Sequence, residues 1–158
     1  MEQDQEWMLL AYRLPRVPST PRSAIWRKLK RLGVVQLADG LVALPADART
    51  REQLEWIADD VVDHHGDAML WLGRPADTYG QARLAEQMNA AVADEYDALS
   101  EAAATGVADE ATRRRVFARL RRELHRIEAR DYFSPPQREH ARQSVERLAA
   151  IEANEAHR

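Results

Sequence analysis

The sequence predicts an α+β fold, and three observations carry that prediction. Short apolar, β-rich segments alternate with amphipathic helical segments up to Pro75; an Asp39-Gly40 dipeptide separates two of the β-rich segments; after Pro75 the composition turns to Ala, Arg and Glu with no strand pattern. Together they predict a four-stranded antiparallel sheet domain over residues 1–75 and, over residues 76–158, a tail of about three α-helices packed on it.

Each element has its own signal. Trp7–Leu14 is an apolar run closed by Pro15 and reads as a buried strand. Thr20 is placed to cap the next helix, Pro21 fits its first turn, and Gly33 can end it in a left-handed conformation. Ile25, Trp26, Leu29 and Leu32 then share its inward face. Val34–Ala38 and Leu41–Leu44 are short β-rich segments, and Asp39-Gly40 between them supplies the positive φ angles of a two-residue hairpin. Thr50 and Gln53 have the spacing of a capping box for a second helix, with Leu54, Ile57, Ala58 and Val61 on one face and Gly66 as its stop. Ala68–Leu72 reads as the fourth strand. The order strand, helix, strand, strand, helix, strand is the ferredoxin-like split β-α-β arrangement, with both helices on one face of the sheet.

In the tail, Leu84, Met88, Val92, Tyr96 and Leu99 recur at helical spacing, which predicts one long helix over 77–104 broken at Thr105-Gly106. A helix over 109–130 turns Val116, Phe117, Leu120, Leu124 and Ile127 inward. Ser134-Pro135-Pro136 separates it from a last helix carrying Val145, Leu148 and Ile151, and residues 154–158 are expected to fray.

Composition narrows the function. The chain has 158 residues, 45% of them hydrophobic, enough for one domain with a helical appendage. With 31% charged residues, no long apolar run and the acidic start MEQDQE, it reads as cytoplasmic, with no membrane partner. Absence of cysteine excludes disulfides, thiolate metal sites and thiol redox chemistry. No glycine-rich phosphate loop, nucleophile elbow or zinc motif is present, so no enzyme, cofactor or metal is expected. His64-His65 near Asp63 and Asp67 has a metal-like composition, but adjacent histidines at a helix end point apart. Asp59, Asp60 and Asp63 read as a solvated acidic face.

The candidate site lies in the acid-free stretch Trp7–Ala38, which holds seven basic residues in a chain of net charge −3. Such a local cationic element points to an anionic partner. Arg27, Lys30 and Arg31 fall at i, i+3 and i+4 on one exposed helix face with Lys28 beside them, while Arg13 and Arg16 stand at the strand exit. Arg22 sits in the first helical turn near Trp26, where with Ser19, Thr20 and free backbone N–H groups it suits a small oxyanion or phosphate. Stacking on Trp26 is its competing use. Arg16, Arg22, Arg27, Lys28, Lys30 and Arg31 are therefore the candidate nucleic-acid or oxyanion contacts. Arginines 113–130 form a second cationic helix, for which Arg119 and Glu123 at i, i+4 suggest ordinary stabilisation. Trp7, Trp26, Trp56 and Trp71 read as core or subunit-contact residues.

These residues also carry a resemblance. W-x-L-L-x-Y-x-L-P (Trp7–Pro15), P-S-x-x-R-x-x-x-W-R-x-L-K-R-L-G (Pro18–Gly33), D-G-L-V-A-L-P (Asp39–Pro45), E-W-I-A (Glu55–Ala58) and I-E-A-R-D-Y-F (Ile127–Phe133) together resemble the N-terminal domain of the chromate-resistance regulator ChrB. The resemblance implies a DNA-binding regulator with anion sensing as the trigger, for which chromate and sulfate are the candidate oxyanions; separately, the chain is expected to form a homo-oligomer. Longer members of that family carry a further C-terminal domain with Cys, His and acidic residues. A more distant similarity is to the ferredoxin-like domain of the phenylacetate repressor PaaX and, through it, to CRISPR adaptation nucleases. Those nucleases place a metal-binding carboxylate at the end of the first strand, where this sequence has Arg13, Leu14, Pro15 and Arg16. Two alternatives stand beside the regulator: a non-enzymatic homodimeric interaction module without DNA binding, and a vestigial nuclease relative.

Overall fold

Alternation along the first strand determines how the sheet is built. In the computed structural model, which describes residues 5–106 and 109–155, β1 (Trp7–Arg13) lies in the sheet interior, between β3 (Leu41–Pro45) and β4 (Asp67–Gly73). With β2 (Val35–Ala38) outside β3, the strand order is β2-β3-β1-β4 and every neighbouring pair is antiparallel. Leu10 stands opposite Val42 and Leu70, and Met8 opposite Leu44 and Leu72, so these side chains share one face. Leu10, Val42 and Leu44 are fully buried there together with Ile25 and Leu29 of α1 (Thr20–Leu32) and Leu54 and Val61 of α2 (Ala48–Asp63). This is the ferredoxin-like α+β arrangement the element order predicts.

The chain forms two compact units, Met1–Met88 and Asn89–Arg158, and the boundary falls within α3 (Thr78–Ala104). In the first unit the opposite sheet face carries Trp7, Leu9, Ala11, Met69 and Trp71. Trp7 is buried, and its indole N–H is satisfied there by donating to Gln81 Oε1 at 2.7 Å, while Gln81 Nε2 donates to the Gln5 carbonyl at 2.7 Å. In the second unit, α4 (Glu110–Ala129) and α5 (Gln137–Glu155) join the later turns of α3 around Tyr96, Leu99, Leu120, Leu124, Ile127, Val145 and Leu148. Ile151, expected inward, is exposed. Helix α5 continues through Glu155, and residues 156–158 of the expected fraying tail lie outside the described residues.

Several caps differ from their sequence signals. Ser19, not Thr20, is the N-cap of α1, in a helical conformation with no side-chain cap bond, while Gly33 ends the helix at φ 78° as expected. Only Gly40 of the hairpin pair has positive φ, and β2 takes up the difference with a register shift between Gln36 and Ala38. Helix α2 is capped by Asp47, three residues before the expected cap Thr50. Asp47 accepts from Thr50 N–H at 2.7 Å while Thr50 Oγ1 accepts from Asp47 N–H at 3.0 Å, which is a reciprocal capping box. The helix ends at His64, and His65 rather than Gly66 takes the left-handed conformation, with φ 63°. Asp47→Ala removes an acceptor from this reciprocal pair and is expected to cost about 1 kcal/mol in denaturant unfolding.

Candidate functional site

The end of β1 is pinned from both sides by glycine. A Cβ on Gly40 would stand 2.4 Å from the Tyr12 carbonyl oxygen, and one on Gly66 would stand 2.3 Å from that of Arg13. Only glycine allows such close approach of one backbone to another. The hairpin turn and the turn between α2 and β4 therefore close on the strand exit, and beside it opens a concavity of about 1360 Å³.

The lining of this concavity brings together residues distant in sequence. Arg13 and Arg16 come from the strand exit, Ser19, Arg22, Ser23 and Trp26 from the start of α1, Asp39 from the hairpin and Asp67 from β4. Arg13, Arg16 and Arg22 are all exposed and make no ion pair among the described residues. Tyr12 also lines the site. Burial raises its hydroxyl pKa, Arg22 pulls it down, and Asp39 raises it further. Three guanidinium groups against two carboxylates leave a net cationic mouth, with hydroxyls and an aromatic ring in reach of a bound anion.

The six candidate residues divide into three groups. Arg16 and Arg22 meet in the concavity, joined by Arg13, which stood outside the candidate set. Arg27 and Arg31 are exposed on the outward face of α1, with no ion pair among the described residues. Lys28 and Lys30 are engaged. Lys28 Nζ lies 2.6 Å from Asp60 Oδ2, so an acidic partner comes from α2 and Asp60 is not simply solvated. Lys30 Nζ lies 5.6 Å from the Trp26 ring centroid, the stacking position expected for Arg22.

The aromatic expectation also changes. Trp7 is buried and Trp26 half-buried, but Trp56 and Trp71 are 66% and 57% exposed and belong to no core here. His64 Nδ1 is within 2.8 Å of the Asp60 carbonyl of its own helix. Among the described residues no three His, Asp or Glu side chains gather as metal ligands, and no helix is long and apolar enough to cross a membrane.

Fold and site thus define a ferredoxin-like α+β protein with an arginine-lined concavity and a cationic first helix. The family model for "Protein ChrB, N-terminal" matches residues 22–109. The chain is 32% identical over 130 residues to Protein ChrB of Cupriavidus metallidurans, an alignment covering 80% of this chain and 40% of that protein. The chain belongs to the ChrB family, the chromate-resistance family its motifs resemble, and spans less than half the length of this relative. No solved structure matches it.

Proposed function

We propose that this chain is a non-enzymatic, cytoplasmic DNA-binding regulatory protein of the ChrB type, responsive to an oxyanion such as chromate or sulfate. The observation that carries this reading is the set of exposed arginines at the strand exit and on α1. Arg13, Arg16, Arg22, Arg27 and Arg31 make no ion pair among the described residues, although the chain as a whole is acidic. Arg27 and Arg31 contact DNA phosphates, where each charge displaces condensed counterions and the contributions add. Arg16 and Arg22, with Arg13, hold the oxyanion in the concavity through charge-assisted hydrogen bonds.

The test is quantitative DNA binding to the promoter region upstream of the gene at several salt concentrations, with and without chromate and sulfate. Binding should weaken steeply with salt, and Arg27→Glu with Arg31→Glu should reduce the logarithmic salt slope by about 2. Arg16→Gln with Arg22→Gln should retain DNA binding and lose the oxyanion effect. Salt-independent or absent DNA binding sinks the proposal.

One observation favours a second reading, a homodimeric interaction module. Leu37, Met69 and Trp71 expose apolar surface on the sheet side away from the two helices, in a pattern suited to a protein contact. Light scattering of the parent and of Trp71→Ser separates a dimer from a monomer.

A further inference from the structure

The geometry points to a second nucleic-acid contact, separate from α1: the outward face of α4, whose arginines form a stripe for the phosphate backbone of duplex DNA. This inference rests on the reading of the chain as a DNA-binding protein and assigns a different surface to that activity. Arg115, Arg119, Arg122 and Arg126 recur at intervals of four, three and four residues. At 3.6 residues per turn they fall within roughly 60° of arc, opposite the buried Leu120, Leu124 and Ile127. All four are exposed.

A solvated helix neutralises such a face with glutamates one turn away. Helix α4 has one acid so placed, Glu123, four residues after Arg119 and three before Arg126, while its other two lie off the stripe. Glu110 is taken by Arg114 at 2.5 Å, and Glu128 turns toward α5, where it accepts from Arg142 at 2.5 Å with only 13% of its side chain exposed. Glu123, on the flank of the stripe, forms no ion pair with Arg119 among the described residues. Arg119, Arg122 and Arg126 have no ion pair among the described residues, and Arg115 reaches only the Ala111 carbonyl of its own helix, at 3.4 Å, and the field of Asp109. Four exposed arginines thus share this face with one exposed glutamate, and its net charge is positive.

The chemistry of the stripe favours a phosphodiester backbone over an acidic protein. Helix α4 has seven arginines and no lysine, and the planar guanidinium fork matches phosphate oxygens two at a time. The stripe is straight and evenly spaced over about 16 Å of helix. Duplex DNA carries about one phosphate charge per 1.7 Å of its axis, both strands counted, so a span of this length meets several phosphates. The element is rigid: three buried side chains anchor it, and Asp109 caps it by accepting from Thr112 N–H at 2.9 Å. Fixed geometry lets all four side chains be offered without ordering the backbone first.

The test compares the full chain with the variant R119Q/R122Q/R126Q on one duplex across a series of salt concentrations. The variant is expected to lose about 3 from the logarithmic salt slope and to bind at least about tenfold more weakly near physiological salt. R119K/R122K/R126K keeps the charge and should restore most of the slope. Helical circular dichroism confirms that the variants fold; if the triple variant does not, R119Q/R126Q takes its place, with an expected loss of about 2 in slope. An unchanged slope in the arginine-to-glutamine variant, alongside a reduced slope in R27E/R31E, overturns the α4 assignment and leaves the α1 reading standing. Loss of DNA binding in the parent chain itself overturns both.

Discussion

Replacing Asp131 by alanine is expected to destabilise the second unit by about 3 kcal/mol, the cost of removing one partner from a buried charged network. The Asp131 side chain is 0% exposed. Its carboxylate accepts from the Tyr96 hydroxyl at 2.8 Å, from Phe133 N–H at 3.2 Å and from Ser134 N–H at 2.8 Å, and Arg138 stands 3.8 Å away. One side chain therefore closes the turn between α4 and α5 and ties it to α3. Alanine leaves a buried phenol, two backbone donors and a guanidinium without this acceptor. Asp131→Asn keeps an oxygen for the backbone donors and should lose less, and Tyr96→Phe should cost about 1 kcal/mol, the worth of a single hydrogen bond.

The same network sets a pH dependence. Burial first, and then the hydrogen bond to Asp131, hold the Tyr96 hydroxyl above its ordinary pKa. A raised pKa on an acid means that the folded state retains its proton longer than the unfolded chain does. The stabilisation is complete below the unfolded value, near pH 10, and is lost as pH rises from there through the folded value. Alkaline unfolding of the second unit should therefore begin above about pH 10, and tyrosinate absorbance should show Tyr96 ionising earlier in Asp131→Ala. All four tryptophans lie in the first unit, so helical circular dichroism, not tryptophan fluorescence, reports the loss.

Local patterns in this sequence were legible where one residue has one use. Gly33 follows the last inward residue of α1 and is left-handed there, and Pro15 stands just beyond β1. The readings that changed involve residues with two uses. Gly66 has the look of a helix stop, but His65 takes the left-handed conformation, and what requires glycine at 66 is the Arg13 carbonyl against it. Thr50 has the spacing of a cap and is instead the third helical residue, buried, its hydroxyl donating to the Pro45 carbonyl at 2.6 Å. Asp-x-x-Thr supports a reciprocal box as well as Thr-x-x-Gln, and only the chain path decides between them.

The site was legible in its charge and not in its assembly. The acid-free stretch contains Arg13, Arg16 and Arg22, yet the concavity needs Asp39 and Asp67 as well, and Lys28 is withdrawn by Asp60, 32 residues away. No local spacing encodes a contact between two helices at that separation. Trp71 is a different case, since strict alternation from Leu70 puts it on the opposite face from Leu10, and the period of two was present in the sequence to be used. Arginine spacing on α4 was equally visible. What spacing could not tell was whether Arg119 and Glu123 pair at i, i+4; in the structure they form no ion pair among the described residues.

Substituting valine for Gly40 is expected to cost the first unit about 2 to 3 kcal/mol and to disable the concavity with it. Two penalties combine. A β-branched residue at φ 75° is in a region that costs about 1–2 kcal/mol for any side chain with a Cβ. The new Cβ would also meet the Tyr12 carbonyl oxygen at 2.4 Å, and that atom is backbone in a paired strand with no rotamer to yield. The hairpin must then lift away from β1, breaking the bond from Tyr12 N–H to the Gly40 carbonyl at 2.8 Å. Asp39 and Tyr12, which both line the concavity, separate in the same movement. Tryptophan fluorescence in denaturant should show the lower midpoint. Gly73→Ala is the matched control in the same sheet: its Cβ meets nothing within 4 Å, and its stability should change by no more than about 0.5 kcal/mol. If Gly40→Val leaves the midpoint where Gly73→Ala does, the hairpin does not hold the strand exit, and the concavity owes its shape to the Gly66 side alone.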